Sequence, residues 1–326
     1  MIPALVSIDE VRELAHQRRL ADTYGPLLVI QESLDYPEVL LHSAALGAEP
    51  CVVIGSDVVV SSAEDRERIV DNVRRSPIAA VTTCQLIRAS VSMSDVPNST
   101  EARLLLESTT YSTLQSGPEF ARWQAERRER SSTRSRVDSV PDPEPAVLLD
   151  RNDNELQITL NRPHRGNAVN RQLRDELSEG LALCLSDPSL DALALRGNGP
   201  HFSTGGDLDE FGTFANPADA QVIRTQRSPA RLLSALSGNV HRRAHLHGNS
   251  AGSGVELAAF ADHVTAKVDT TAWLPELSLG LVPGAGGTVS IVDRIGGPRT
   301  VWLLLTGTRI DATTALEWGL IDEISG

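Results

Sequence analysis

The pattern of apolar and polar positions predicts alternating strands and helices in the second half of the chain. Leu156, Ile158 and Leu160 occupy every second position, which predicts a strand with one buried face. The runs at 190–196 and 244–247 have the length of further short strands. Strands that alternate with helical segments are typical of an α/β fold.

A helix is predicted between the first two of these strands. Asn170 has a side chain suited to a helix N-cap, and Asp187-Pro188 ends the pattern. The positions between them carry one apolar stripe at helical spacing. The stripe consists of Leu173, Leu177, Leu181 and Cys184 or Leu185.

The beginning of the chain predicts a small α/β unit. Apolar runs at 27–30 and 51–54 are bounded by glycine or proline, as strands often are. The segment at 37–46 between them has helical spacing. We therefore predict a strand, a helix and a strand in this order.

Two long helical patterns follow this unit. They cover residues 64–87 and 101–128. Each pattern is interrupted once, the first near Ser76-Pro77 and the second near Gly117-Pro118. This part of the chain is therefore predicted to be helical.

A polar segment divides the chain near its middle. Residues 126–146 contain mainly charged residues, serine and proline, with almost no apolar side chain that could anchor a core. We interpret them as a linker. The linker separates an N-terminal α/β and helical module, residues 1–125, from a second domain, residues 147–326.

Composition and charge exclude several classes of protein. The chain has 326 residues, of which 40% are hydrophobic and 22% are charged. This composition is typical of globular proteins, and the length predicts about two domains. Its formal net charge of −13 argues against a nucleic-acid partner. No apolar stretch reaches the roughly 18 residues that span a bilayer, and the first residues lack the basic start of a secretory signal.

The cysteines agree with an intracellular location. Cys51, Cys84 and Cys184 are odd in number and widely separated, which is typical of reduced thiols. We therefore predict a cytoplasmic protein with neither a nucleic-acid nor a membrane partner.

Two glutamates lie among three glycine-rich turns. The turns cover residues 203–207, 247–254 and 283–287, and the glutamates are Glu256 and Glu276. Glycine lets the backbone approach a ligand closely, and the first N–H groups of a helix are unpaired. Proton transfer next to a carbonyl group requires this combination of carboxyl groups and backbone donors. The pattern therefore indicates an enzyme.

Five motifs occur in a fixed order in the second domain. They are Leu160-Asn-Arg-Pro163 with Gly166-Asn-Ala168, Phe202-Ser-Thr-Gly-Gly-Asp207, Gly252-Ser-Gly-Val-Glu256, Pro275-Glu276 and Pro283-Gly-Ala-Gly-Gly-Thr288. Together they resemble the crotonase, or enoyl-CoA hydratase and isomerase, superfamily over residues 147–326. The resemblance implies an α/β fold, a crotonase-like spiral of ββα units, to which the N-terminal α/β and helical module is added.

The resemblance also implies the site residues. An oxyanion hole for a thioester would use the backbone N–H groups of Gly206 and Ser253, and the two hydratase glutamates would be Glu256 and Glu276. The residues expected to bind substrate are Thr204, Gly205, Asp207, Gly252 and Gly284.

The activity implied is a hydratase-like lyase acting on an enoyl-CoA. We assign Glu276 as the acid that supplies the α-proton and Glu256 as the residue that orients and activates water, although the sequence alone does not divide these roles. No metal and no separate cofactor is expected, since coenzyme A is part of the substrate. The family further implies a homo-oligomer, a trimer or hexamer, with an acyl-CoA or acyl-carrier thioester as partner.

Two departures from the family are visible. Ser253 stands where glycine is usual, and the chain ends soon after Trp318, before the usual C-terminal helices. Residues 68–81, 107–111 and 117–120 resemble those helices. We therefore hypothesise that a tail-like helical module precedes the core, as in a circular permutation.

Other functions are weighed against this interpretation. An isomerase with related enolate chemistry and a non-catalytic acyl-CoA or partner-binding protein both remain open. Gly248 to Gly252 matches the G-x-S-x-G pattern of a serine esterase with Ser250 as nucleophile, but only His263 follows it. A metal site at His241, His245 and His247 would lack a second ligand cluster. The turn at 283–287 lacks the complete dinucleotide-binding fingerprint.

Overall fold

A computed structural model shows an α/β protein whose elements follow the predicted periodicities over most of the chain. It describes residues 4–7, 27–32, 58–60, 62–132, 145–213 and 216–326. The strand predicted at 27–30 is confirmed by a strand at Leu27–Glu32. The helix predicted at 37–46 and the strand predicted at 51–54 lie outside the described residues.

Strands of the described residues form three sheets. Their bounds are β1 (Ala4–Ser7), β2 (Leu27–Glu32), β3 (Val58–Val60), β4 (Val147–Asn152), β5 (Glu155–Leu160), β6 (Ala192–Gly197), β7 (His241–Leu246), β8 (Asn249–Ala251), β9 (His263–Lys267), β10 (Thr271–Trp273), β11 (Ile310–Asp311) and β12 (Glu323–Ser325). The largest sheet has the order β12-β9-β7-β6-β5-β4, and the others are β11-β10-β8 and β1-β2-β3. In the largest sheet only the β4–β5 pair is antiparallel.

The described helices flank these sheets. Their bounds are α1 (Ala63–Arg75), α2 (Pro77–Met93), α3 (Thr100–Gln115), α4 (Pro118–Ser132), α5 (Arg171–Ser186), α6 (Pro217–Gln226), α7 (Pro229–Ala235), α8 (Ser253–Ala258), α9 (Gly287–Ile295), α10 (Gly297–Thr306) and α11 (Ala312–Trp318). Short 3-10 helices occupy Pro163–Arg165 and Glu276–Leu279.

The predicted strand and helix at the start of the second domain are confirmed. Leu156, Ile158 and Leu160 are buried on β5, as their alternation requires. Asn170 caps α5 by accepting a hydrogen bond from the N–H of Leu173 at 2.9 Å. The apolar stripe of α5 ends at the buried Cys184, because Leu185 is exposed.

The four N-terminal helices pack on the second domain. The long patterns predicted at 64–87 and 101–128 are confirmed as α1 to α4, with breaks at the predicted proline positions. α1 and α2 contact α10, while α2 and α3 contact α9. Buried side chains of the helices and of the second domain form a single hydrophobic cluster.

The predicted linker begins inside a helix. α4 continues to Ser132, so the first residues of the segment 126–146 are helical. Residues 133–144 lie outside the part of the chain that is described. The division into domains and the permuted order of the helices remain predictions, although the packing of residues 66–128 on the core is what the permutation requires.

Polar contacts, in addition to apolar ones, hold the N-terminal helices on the second domain. Arg103 of α3 is almost fully buried, and its Nη2 and Nη1 donate to the two carboxylate oxygens of Asp293 on α9 at 2.6 and 3.1 Å. Its Nε donates to Oγ of Ser90 at 2.9 Å. On α1, the side-chain amide of Asn72 donates to the carbonyl oxygen of Leu305 at 2.8 Å.

Arg103→Ala is expected to lower the free energy of unfolding by about 1–3 kcal/mol, because a charged two-point contact and the Ser90 contact are lost together. Urea unfolding would measure the change. Arg74→Ala, which removes an exposed arginine paired with Asp71 on the same helix, is the control and should change stability by less than about 0.5 kcal/mol. Equal effects of the two variants would contradict the anchoring role of Arg103.

Candidate active site

The first two glycine-rich turns lie against each other. The N–H of Ala251 donates to the carbonyl oxygen of Ser203 at 2.9 Å, and Ser203 forms a parallel bridge with Ser250. A β-carbon on Gly205 would lie 3.7 Å from Cα of Gly252. Glycine is favoured at position 205 because its φ is +96° and because a β-carbon there would lie 3.0 Å from the carbonyl oxygen of Ala251.

Each of these turns presents a free backbone donor. Gly206 follows the positive-φ Gly205, and Ser253 is the first residue of α8, where helical N–H groups have no partner within the helix. Neither N–H donates to a backbone acceptor within the described residues. The two donors are the ones expected from sequence for an oxyanion hole.

Glu256 lies in the first turn of α8 and faces the third glycine-rich turn. Its side chain is almost fully buried, and its Oε2 accepts hydrogen bonds from the N–H groups of Ala285 at 2.8 Å and Gly287 at 3.0 Å. A β-carbon on Gly287 would lie 2.6 Å from Cγ of Glu256. Residue 287 must therefore be glycine for the carboxyl group to reach this position.

Glu276 begins the 3-10 helix after Pro275. Its side chain is buried, and a β-carbon on Gly252 would lie 2.7 Å from its Oε1. Its Oε2 is buried without a hydrogen-bond partner among the described residues. One carboxyl oxygen of Glu276 thus borders the residue before Ser253, and the other accepts no hydrogen bond from the described part of the chain.

A third carboxyl group, Glu107, reaches the same place from the N-terminal helix α3. Its Oε1 accepts from the N–H of Gly286 at 2.7 Å, and its Oε2 accepts from the N–H of Thr288 at 3.0 Å and the Thr288 hydroxyl at 2.7 Å. Its side chain is almost fully buried. Sequence reasoning placed Glu107 in the tail-like helix but missed it as a site residue.

Burial dominates the electrostatics of the three carboxyl groups. It raises the pKa of Glu276 to about 8 and the pKa of Glu107 to about 7. Burial, followed by the charges of Glu276 and Glu107, raises the pKa of Glu256 well above its usual range. The amide hydrogen bonds to Glu107 and Glu256 act in the opposite direction but do not cancel the effect.

Aromatic side chains border the site. A β-carbon on Gly284 would lie 2.7 Å from the ring of Tyr111, and one on Gly206 would lie 2.7 Å from the ring of Phe211. The guanidinium group of Arg224 lies 4.4 Å from the centre of the Tyr111 ring. Burial raises the pKa of the Tyr111 hydroxyl above its usual range.

Asp207 and Thr204, which were expected to bind substrate, form hydrogen bonds within the protein. The carboxylate of Asp207 accepts from Nη2 of the buried Arg162 at 3.0 Å and from the N–H of Asp209 at 3.1 Å. The N–H of Thr204 donates to the carbonyl oxygen of Gly166 at 2.9 Å. These contacts fix the shape of the first turn.

Among the described residues, Ser250, His245 and His247 have no hydrogen bond to Glu256 or Glu276. Oγ of Ser250 is buried without a hydrogen-bond partner in the described part of the chain. His245 contacts the hydroxyl of Thr265, and His247 contacts the carbonyl oxygen of Gly199. Within the described residues, no group of three or more histidine, cysteine, aspartate or glutamate side chains could hold a metal ion.

A membrane-spanning helix is absent from the described residues: none of their helices is both long and apolar enough.

Comparison with known proteins shows the family of this chain. The family model of enoyl-CoA hydratase/isomerase matches residues 150–326, and the chain therefore belongs to the enoyl-CoA hydratase/isomerase family. The resemblance to the crotonase superfamily is confirmed.

Individual relatives agree with this assignment. The 2,3-dehydroadipyl-CoA hydratase of Escherichia coli (strain K12) is 30% identical over 178 residues, which cover 55% of this chain and 68% of that protein. The structure of an enoyl-CoA hydratase from Thermoplasma volcanium GSS1 is 30% identical, with a TM-score of 0.52, and covers 56% of this chain and 72% of that chain. An enoyl-CoA hydratase/isomerase from Marinobacter aquaeolei is 29% identical, with a TM-score of 0.50 over 55% of this chain and 70% of that chain.

Glu276→Gln is expected to stabilise the protein at alkaline pH. The pKa of Glu276 is raised from 4.5 to about 8 on folding, so the folded state retains a proton that the unfolded state releases. The stability that this bound proton gives the folded state is complete below pH 4.5 and is lost as the pH rises toward 8. Glutamine does not ionise, so the free energy of unfolding of the variant should exceed that of the original protein by roughly 5 kcal/mol at alkaline pH and match it in acid, since one pKa unit corresponds to about 1.4 kcal/mol.

Urea unfolding over this pH range measures the difference. Glu317→Gln, which removes one exposed carboxyl group, is the control for the change in net charge. A Glu276→Gln variant that gains nothing at alkaline pH would show that the pKa of Glu276 is not raised.

Proposed function

We propose that this protein adds water across the C2=C3 bond of an enoyl-CoA thioester. The observation that carries the proposal is that the carboxyl groups of Glu256 and Glu276 are electrostatic neighbours, and that Glu276 borders the second turn. The N–H groups of Gly206 and Ser253, in the first and second turns, have no backbone acceptor among the described residues. The family supports the reaction class, and the Escherichia coli relative is named for the hydration of a CoA thioester.

The two backbone donors suit the charge that hydration creates. When water attacks C3, electron density moves through C2 to the thioester oxygen and forms an enolate. The N–H groups of Gly206 and Ser253 would stabilise that oxygen, and Ser253 adds the positive end of the α8 dipole. Removing one such donor typically costs roughly a hundred- to a thousand-fold in rate.

The two glutamates divide the proton transfers. Glu276 is protonated at neutral pH because its pKa is about 8, and its buried Oε2 has no donor among the described residues. It supplies the proton that forms the C2–H bond. Glu256 accepts the proton that water releases as its oxygen bonds to C3; its two amide hydrogen bonds favour the ionised form that this step needs, against burial and the charges of its neighbours. Transfer of that proton back to Glu276 restores the enzyme, and the net change is the addition of one water molecule.

The proposal predicts hydration of a short enoyl-CoA, measured as loss of the absorbance of the conjugated thioester. Glu256→Gln and Glu276→Gln should each lower kcat by about 10²–10⁴-fold, because each removes one proton-transfer group. Glu179→Gln, an exposed change on α5, is the matched control and should retain the original rate.

Three outcomes would contradict the proposal. One is the absence of turnover with enoyl-CoAs of every chain length and branching tested, which would favour a non-catalytic acyl-CoA-binding protein. Another is migration of the double bond without hydration, which would favour an isomerase. The third is full activity in both glutamine variants.

A further inference from the structure

Four consecutive backbone N–H groups at the start of α9 are shared between two carboxyl groups from distant parts of the chain. Glu256 takes the N–H groups of Ala285 and Gly287, and Glu107 takes those of Gly286 and Thr288. The partners alternate along the backbone. Neither carboxyl group could therefore move without disturbing amides that lie next to those held by the other.

We propose that Glu107 is a positioning residue for Glu256: by holding the alternate amides of the turn, it fixes the orientation of the Glu256 carboxyl group and controls whether that group carries a proton. The inference rests on the proposed function, in which the ionised form of Glu256 accepts a proton from water. It assigns to the N-terminal helices a direct role in the chemistry of the second domain.

The hydrogen bonds to Glu107 come from the third glycine-rich turn, from the N–H groups of Gly286 and Thr288 and the Thr288 hydroxyl. Glu256 and Glu276 are electrostatic neighbours from α8 and the 3-10 helix, and Tyr111 lies one turn along α3. Arg224 of α6 is the cation that acts on Glu107. Glu107 and Glu256 hold the four amides, and each of the three buried carboxyl groups lies close enough to another for ionisation of one to make ionisation of the next less favourable.

A second buried glutamate of the same helices provides a comparison. Glu119 of α4 accepts from the N–H groups of Ile78 and Ala79 at 2.8 and 2.9 Å, and it is also buried. It therefore fixes backbone amides of α2 as Glu107 fixes those of α9. Glu256 is bonded to the N–H groups of Ala285 and Gly287 and not to the N–H groups that Glu119 holds. Replacing Glu119 removes the same kind of structural contact without changing the charge next to Glu256.

The test compares the pH dependence of kcat/KM in Glu107→Gln, Glu107→Asp and Glu119→Gln. Removing a neighbouring negative charge makes it easier for Glu256 to lose its proton. The acid limb of the Glu107→Gln profile should therefore move to lower pH by roughly one unit. Glu107→Asp keeps the charge and should leave the limb in place while lowering the rate, and Glu119→Gln should also leave the limb in place.

A measurement independent of turnover uses ¹³C NMR of protein labelled at the glutamate carboxyl carbons. The Glu256 resonance, assigned by its loss in Glu256→Gln, should titrate at a lower pH in Glu107→Gln than in the original protein. The same resonance should titrate at an unchanged pH in Glu119→Gln.

An unchanged Glu256 midpoint in Glu107→Gln would overturn the inference, as would a rate loss that is equal at every pH. An original protein that hydrates no enoyl-CoA would contradict the proposed function instead. In that case the NMR titration still decides whether Glu107 controls the proton on Glu256.

Discussion

Four backbone N–H groups at residues 285–288 offset the cost of placing two carboxyl groups in the protein interior. An isolated carboxylate is very unfavourable away from water, and such a group either finds donors or keeps its proton. The turn supplies donors in two directions because Gly286 has a φ of +97° and Gly287 has no β-carbon to collide with Glu256. The arrangement of Glu107, Glu256 and α9 therefore depends on the local backbone more than on any ion pair.

The same contacts make the N-terminal helices part of the site. α3 carries Glu107 and Tyr111 to the third turn, and the Arg103–Asp293 pair fixes α3 along α9. α4 packs against the 3-10 helix that carries Glu276, where Gly280 leaves room for Glu119. An active site assembled in this way requires both parts of the chain, whichever of them comes first in the sequence.

Local patterns predicted much of the fold. The alternation on β5, the Asn170 cap and the stripe of α5 are set by near neighbours in the chain, and the breaks before Pro77 and Pro118 by the chemistry of proline. The segment 126–146 was interpreted as a linker because it is polar, yet α4 continues to Ser132. A polar, arginine-rich sequence is compatible with an exposed final helical turn as well as with a linker.

The site was predictable only as far as its turns. The resemblance carried by the glycine-rich motifs implies the Gly206 and Ser253 donors, because each donor lies within a motif, but the partner of Asp207 is Arg162, a contact between distant residues. Glu107 was missed for the same reason. One signal for it exists: Glu107 shares the buried face of α3 with Leu104, Tyr111 and Leu114. A carboxyl group in such a stripe must meet donors elsewhere in the protein.

The proposed division of the proton transfers rests on the different environments of Glu256 and Glu276. Glu256 has two amide donors on one oxygen, which favour its ionised form and fix its direction, whereas the buried Oε2 of Glu276 has no donor in the described protein. An unpartnered carboxyl oxygen keeps its proton more readily than one held by amides. Glu276 is therefore suited to give a proton, and Glu256 is suited to accept one only to the extent that its amides offset burial and the repulsion from its carboxyl neighbours, which raise its pKa.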